Sequence, residues 1–564
     1  MQRSWVIGLV ALIVYVAIAS PHIVDGDNAE FATLGALGGR AHPSGYPLYV
    51  LWLRAWSWLP GATPAHTAAI ATALLGALSV GVLHAACQAW GSSRLAATIS
   101  VVVAGAAPLV LRYHCEAEAF AMNDLIAALV VWLAAARGPL RGPWRGVVLG
   151  LVAGAGIANH LTCVLVAPIG VLGVVRAARE SRITTYGLAA GGLVLGLVPY
   201  VYLGFADGPA SWGLVATPSD LVAMILRREY GGTSSFLLQG ADVSWTANVV
   251  ACLATIARSW LWVPAVAGLA MLGVRIWRPV GESRWAWALL AASFVAAGPV
   301  LASRFNIDPH GLGLYVCERF HLLPVLLLAV PVAAAVDLAC ARISRNALSI
   351  ALAIAGLVAL PIAGLPGLAR THSPAMELGL QNLLRSVPRD AIVVVTADDQ
   401  CFGGRYLQLA RGERPDVALV CSGLVLTRWY RAALASHGIE IPSATGASLG
   451  EALLHTGRPV FVDPGLTRVV AAYPNFPFGV VMRVLPPGTA PPPASAVAAI
   501  NQDVYAAFDL RYPLPGVDDG YAALAHHRYA ASWAAIARLL DASGDRAAAR
   551  NAFENTRALQ PAGD

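Results

Sequence analysis

Lysine is absent from this 564-residue chain, and all 38 basic residues are arginine. Charge of either sign is scarce. Charged residues make up 12% of the chain and hydrophobic ones 57%, whereas an average soluble domain is roughly 25% charged. Mean hydropathy is +0.63. A chain so poor in charge cannot turn most of its surface to water, which excludes a soluble enzyme, a disordered protein and a nucleic-acid binder. What remains is a polytopic α-helical membrane protein. Other absences narrow the chemistry. The eight cysteines (Cys87, Cys115, Cys163, Cys252, Cys317, Cys340, Cys401 and Cys421) form no CxxC and no zinc-ligand spacing, so no metal site is defined and no cofactor is firmly implied, although several acids are available to a divalent ion. There is no Walker loop, no GxSxG elbow in context and no HExxH. Energy for a reaction must then come from an activated substrate, and outside the cytoplasm that means a lipid-linked group.

Apolar runs near 20 residues read as membrane helices, and about eleven meet that criterion: 4–20, 66–90, 95–111, 119–136, 144–159, 161–176, 184–204, 256–274, 285–303, 322–341 and 346–366. No A-x-A cleavage site follows the first, so it reads as a retained signal anchor. The net charge of +6 sits entirely in this half: residues 1–369 hold 21 Arg and 15 acids, and residues 370–564 hold 17 of each. Arginine marks every second connection, at Arg3, Arg94, Arg137–Arg145, Arg176–Arg182, Arg275–Arg284 and Arg342–Arg345, with Glu180 and Glu282 the only acids among them. By the positive-inside rule the N-terminus is cytoplasmic and, with an odd number of spans, the C-terminal part is extracytoplasmic. The expected setting is a bacterial inner membrane, with that part in the periplasm or outside the cell. The opposite connections carry most of the carboxylates and the histidines of this half.

From about residue 372 the pattern changes. Short β-branched runs at 391–396, 416–420, 459–462 and 479–484 alternate with helical stretches at 376–386, 403–411, 424–437 and 447–456, which predicts a small α/β domain. A disulfide between Cys401 and Cys421 is permitted outside the cytoplasm, but free thiols are the preferred reading. Residues 486–494 are a Pro-rich linker or surface loop, and 521–560 read as a TPR-like helical hairpin. A single repeat cannot bury its own apolar face and is expected to pack on the domain. The expected organisation is a catalytic membrane domain over 1–370, its acidic motif in a first external loop at 21–64, then an α/β domain over 371–490 and a linker with helical tail over 491–564.

Four clusters hold candidate chemistry. The first runs from Asp25 to Phe31, followed by His42–Tyr49. Asp27 and Glu30 are three residues apart and share a helix face, so Asp27 suits deprotonation of a hydroxyl. The alternative, equally weighted, is that Asp25 or Asp27 caps the helix. Residues 43–47 make a rigid turn around Tyr46. The second cluster runs from Arg112 through Glu118 to Asn123, and its plain reading is an acid placed to suit a helix dipole. Third is Asn159-His160, for which a satisfied structural histidine is the plainer role. Fourth is Glu318-Arg319-Phe320-His321, in which Arg319 suits a phosphate or else pairs with Glu318 or snorkels. Arg228 is a comparable phosphate candidate in the long external loop.

The order of these motifs resembles the GT-C-type membrane glycosyltransferases of the family that includes a eukaryotic receptor protein O-mannosyltransferase. The matching segments are Asp27–Phe31, His42–Tyr49, Ala117–Asn123, Asn159–Thr162 and Glu318–Phe320, with Ala397–Asp399, Tyr406–Gln408 and Arg414–Val417 in the soluble part. The sequence departs from the family's usual D-S-G-E-F at Asn28 and Ala29, and has Phe120 where Tyr is usual; both acids are kept. The resemblance implies a GT-C-like fold and inverting transfer from a polyprenyl-phosphate sugar, mannose among the options, to a hydroxyl acceptor on protein or glycan. It makes Asp27 the general base with Glu30 next, and gives the phosphate to Arg319 and Arg228. His42, Tyr46, Glu118, Asn123, Asn159 and His160 then shape the donor and acceptor pocket. The competing class is a flippase or transporter for lipid-linked sugars. Its polar groups would sit at midspan on broken helices, whereas here ionisable residues cluster at helix ends. A third reading is a scaffold that docks partners through the tail.

Overall fold

The computed structural model describes residues 2–230, 243–342, 373–441 and 447–563. It divides into two compact units. One comprises Met1–Pro21, Gly38–Ser211 and Val215–His372; the other comprises His22–Leu37, Trp212–Leu214 and Ser373–Asp564.

The first unit is helical. Among the described residues three helices are long and apolar enough to cross a membrane: Pro64–Ala89, Leu161–Glu180 and Thr184–Gly204. Up to 6 qualify if each bent pair counts as one span. Those pairs are Arg94–Gly105 with Pro108–His114, Trp245–Ser259 with Val263–Trp277, and Gly311–Leu327 with Ala329–Ala341. Shorter apolar helices run over Ser4–Ala17, Phe120–Ala134 and Arg284–Val300. The expected span 256–274 is therefore not one rod. Its chain turns by 107° between Ser259 and Val263, where Leu261 and Trp262 take positive φ and Pro264 opens the next helix. The expected span 346–366 lies outside the described residues.

Two helices pack through glycine. Gly142–Asn159 and Thr184–Gly196 carry Gly150/Gly154 and Gly192/Gly196, and a Cβ at any of the four would lie 2.0–2.3 Å from a carbonyl oxygen of the other helix. Small residues four apart let membrane helices touch backbone to backbone. The two acids in the arginine-rich connections are both used as staples. Glu180 accepts from the Gly142 N–H (2.8 Å) and from Arg145 (2.9 Å). Glu282 accepts from Arg176 (2.6 Å) and from the Ala136 N–H. Of the two only Glu282 is buried, and a buried carboxylate is tolerable only with such charge-assisted partners.

The second unit holds a five-stranded sheet in the order β2-β1-β3-β5-β4. β1 (Ile392–Val395), β2 (Ala418–Cys421) and β3 (Val460–Val462) are parallel, while β5 (Val481–Val484) runs antiparallel to β3 and to β4 (Asn475–Phe478). Four strands fall on the β-branched runs read from the sequence. β4 does not, because it contains Pro477 and lacks β-branched residues; as an edge strand it can carry a proline. All four side chains of β1 are buried, which accounts for its unbroken Ile-Val-Val-Val. Cys401 and Cys421 are joined, their Cα atoms 5.4 Å apart, which corrects the preference for free thiols. The parallel register delivers Cys421 to the end of β2 beneath the helix Asp398–Arg405, a proximity not visible along the chain. The tail helices Tyr521–Ala542 and Arg546–Leu559 pack on each other, and Trp533, Ile536 and Leu540 bury against Phe476 and Val497 of the same unit.

Candidate active site

The acidic motif folds with the second unit, as the helix Gly26–Leu37. Asp25 caps it: its Oδ1 accepts the Asn28 N–H at 2.7 Å and its carbonyl accepts Ala29 N–H at 3.1 Å. The two candidate caps are thereby separated. Asp25 takes the cap, and Asp27, in the first turn, stays half-buried. Glu30, one turn on, is buried and coupled to Arg405 of the helix Asp398–Arg405. Burial lowers the Arg405 guanidinium pKa, against the pull of Tyr430 and Glu30. Just ahead of the helix, the Ile23 N–H donates to Glu377 Oε2 (3.0 Å), and Arg411 holds the other oxygen at 3.0 Å. Sequence reasoning missed Glu377, which lies 354 positions from Ile23 and carries no local signal.

In the first unit three of the expected residues, His42, Tyr46 and His160, gather with the rings of Phe120 and Phe320. His42 O accepts the Gly45 N–H at 2.7 Å, and Tyr46 takes a left-handed backbone before Pro47 starts a helix. That turn lays Tyr46 between two imidazoles, with centroids 4.9 Å from His42 and 5.6 Å from His160. His160 continues to Phe120 (4.8 Å), and Phe120 to Phe320 (5.3 Å, edge-on). Its Nδ1 accepts the Thr162 N–H at 3.2 Å, which assigns the proton to Nε2 and points a donor away from the backbone. Asn159 Nδ2 donates to Ala119 O at 3.2 Å, while its Oδ1 and both amide atoms of Asn123 are buried with no hydrogen-bond partner among the described residues. Buried carboxamides left open in this way are exceptions that call for an explanation. The two residues, on different helices, meet at Ala119, whose carbonyl also accepts the Asn123 N–H at 3.2 Å.

The charged groups pair differently from their order in sequence. Arg319 donates to Glu118 at 3.3 Å rather than to its neighbour Glu318. Glu318 receives Arg112, whose guanidinium lies 3.4 Å over the Tyr315 ring. Glu118 precedes Ala119, the N-cap of Phe120–Ala134, and its carboxylate goes to Arg319. His114 Nε2 lies 2.9 Å from Asp124 Oδ2, both buried. Arg112 and His114 stand in the second cluster with no role assigned from the sequence, since only the fold brings Arg112 to Glu318. Arg228 lies on an exposed turn, Arg228–Tyr230, and no described contact brings it to the aromatic group. Among the described residues no group of three or more His, Cys, Asp or Glu is placed to hold a metal ion.

Comparison with known proteins places these residues in a family context. Residues 27–183 match the Protein O-mannosyl-transferase TMEM260 N-terminal domain. The chain is 25% identical over 449 residues to Protein O-mannosyl-transferase TMEM260 of Mus musculus, covering 74% of this chain and 62% of that protein. It is 24% identical over 127 residues to Protein O-mannosyl-transferase tmem260 of Dictyostelium discoideum, covering 22% and 15%. Among solved structures it is similar to ArnT from Cupriavidus metallidurans bound to undecaprenyl phosphate, at 13% identity and a TM-score of 0.47, covering 87% of this chain and 99% of that one. The expected bacterial inner-membrane location is corrected by these relatives, which are eukaryotic. The arginine ladder orients helices relative to a cytoplasm and says nothing about which membrane surrounds it.

Proposed function

We propose, from the premise that this chain is a relative of the GT-C protein O-mannosyltransferase-like family, that it is a membrane glycosyltransferase moving a sugar, mannose by its relatives' names, from a polyprenyl-phosphate donor to a hydroxyl of a protein or glycan on the extracytoplasmic side. Asp27 takes the proton from the acceptor hydroxyl as its oxygen attacks the anomeric carbon. The carbon–phosphate oxygen bond breaks, the lipid phosphate leaves with the electron pair, and one displacement inverts the anomeric centre. Arg319, oriented by Glu118, binds the departing phosphate. Glu30 supports Asp27, and His42, Tyr46, His160, Asn123 and Asn159 supply stacking surface and polar contacts for a sugar. Arg228 is a second phosphate contact. About eleven spans carry this machinery, and the soluble α/β part ends in a TPR-like hairpin.

The observation that carries the base assignment is the division of labour in the first turn of Gly26–Leu37. Asp25 does the capping, so Asp27 is not needed for it. Asp27→Asn keeps shape and removes basicity. Transfer from a lipid-phosphate sugar in isolated membranes is expected to fall by about 10²–10⁴-fold, the usual contribution of a general base. Full retained activity would remove Asp27 from the mechanism.

A further inference from the structure

The helix bearing Asp27 is built into the soluble unit rather than merely preceding it in sequence. Three contacts inside that unit fix its start. Glu377 accepts the Ile23 N–H at 3.0 Å and is itself held by Arg411. Gly26 lies so close to the helix Asp398–Arg405 that a Cβ there would meet the Asp398 carbonyl carbon at 3.0 Å and its oxygen at 3.1 Å. Asp399, the next residue of that helix, is buried and gripped by both terminal nitrogens of Arg528 at 2.5 and 3.0 Å. Arg528 comes from the tail helix Tyr521–Ala542. An unbroken series of contacts therefore runs from the C-terminal tail through Asp399 and Gly26 to Asp27.

We infer that Glu377, Gly26 and the Asp399–Arg528 pair are positioning residues that set where the Asp27 carboxylate stands, so that the soluble unit and its tail act in the transfer step. This rests on the reading of Asp27 as base. Nothing else explains a glycine at 26, whose φ is ordinary; close approach to Asp398 is what demands it.

The test compares kcat, donor KM and thermal midpoint in the full-length protein, with polyprenyl-phosphate mannose as the probe. Gly26→Ala and Glu377→Ala are expected to lower kcat roughly 10- to 100-fold at unchanged donor KM, since displacement by about 1 Å costs up to 10²-fold. Glu377→Gln, which keeps an acceptor for the Ile23 N–H, is expected to recover most of that loss, a pattern that simple destabilisation would not produce. If Glu377→Ala fails to fold, Gly26→Ala decides. Full kcat in Gly26→Ala, or a loss confined to donor KM, overturns the positioning role. Asp27→Asn separates the two ideas: if it is inactive while these variants keep full kcat, the base stands and the positioning falls. If it is active, both fall.

Discussion

At the scale of single residues the structure redistributes roles among neighbours of similar chemistry. Asp25 and Asp27 are interchangeable as written in sequence, yet only Asp25 has its carboxylate on the Asn28 N–H. Arg319 sits beside Glu318 in the chain and donates to Glu118. A 3₁₀ turn over Glu318–His321 does not point adjacent side chains at each other, so sequence adjacency is a poor guide to pairing. Arg319→Lys keeps the charge but loses the planar fork, and is expected to lower kcat/KM about 10-fold, read in the same transfer assay. A second prediction concerns Asp416, which Arg414 grips at 2.9 and 2.8 Å and whose carboxyl is thereby pushed down to about 2. An unfolded aspartate titrates near 3.9. The pair therefore stabilises fully above about pH 4, and this is lost as pH falls through about 2. Arg414→Ala is expected to flatten the fall in thermal midpoint across that window.

At the scale of elements the outcome depends on what each segment packs against. The helices Gly142–Asn159 and Thr184–Gly196 are rich in small and aliphatic residues, and composition alone does not say that they touch each other. Their glycines decide that they touch. Gly154→Ala forces the backbones apart and is expected to cost about 1–3 kcal/mol, seen as a lower unfolding midpoint in detergent. In the soluble unit the bridge between the helix Asp398–Arg405 and β2 depends on parallel pairing. Thiol titration of the denatured, unreduced chain is expected to find six free cysteines, and eight after reduction. Replacing Cys401 and Cys421 by serine is expected to cost about 2–4 kcal/mol. Strands β1, β2, β3 and β5 were legible because β-branched runs bounded by breakers have few other uses. β4 was not, since an edge strand needs only one partner and tolerates Pro477.

At the scale of the whole molecule the segment after the first helix does not belong to the unit that surrounds it in sequence. His22–Leu37 joins Ser373–Asp564, and the tail joins them through Arg528 and Tyr529, which meet Asp399 and Asn382. Deleting 521–564 strips Asp399 of its partner and uncovers Phe476 and Val497, on which Trp533 packs. Breaking a buried ion pair costs about 3–5 kcal/mol, and the truncated protein is expected to lose both a cooperative thermal transition and sugar transfer. Retained activity would return the tail to a docking role.

The sequence by itself determined the membrane character, an arginine pattern that predicts an inside–outside sense for the helices, the α/β nature of the second unit and the motifs by which the chain resembles its relatives. These properties are sums over many residues or short local patterns: apolar runs, arginine in alternate loops, periods of two and 3.6. Tertiary structure alone decided which arginine meets which glutamate, that Cys401 reaches Cys421, and that Glu377 and Arg528 support the motif helix. Each of those is a contact between residues far apart in the chain, made through one or two atoms. Such a contact leaves no trace in composition or periodicity, because many pairings satisfy the same pattern and only packing selects one.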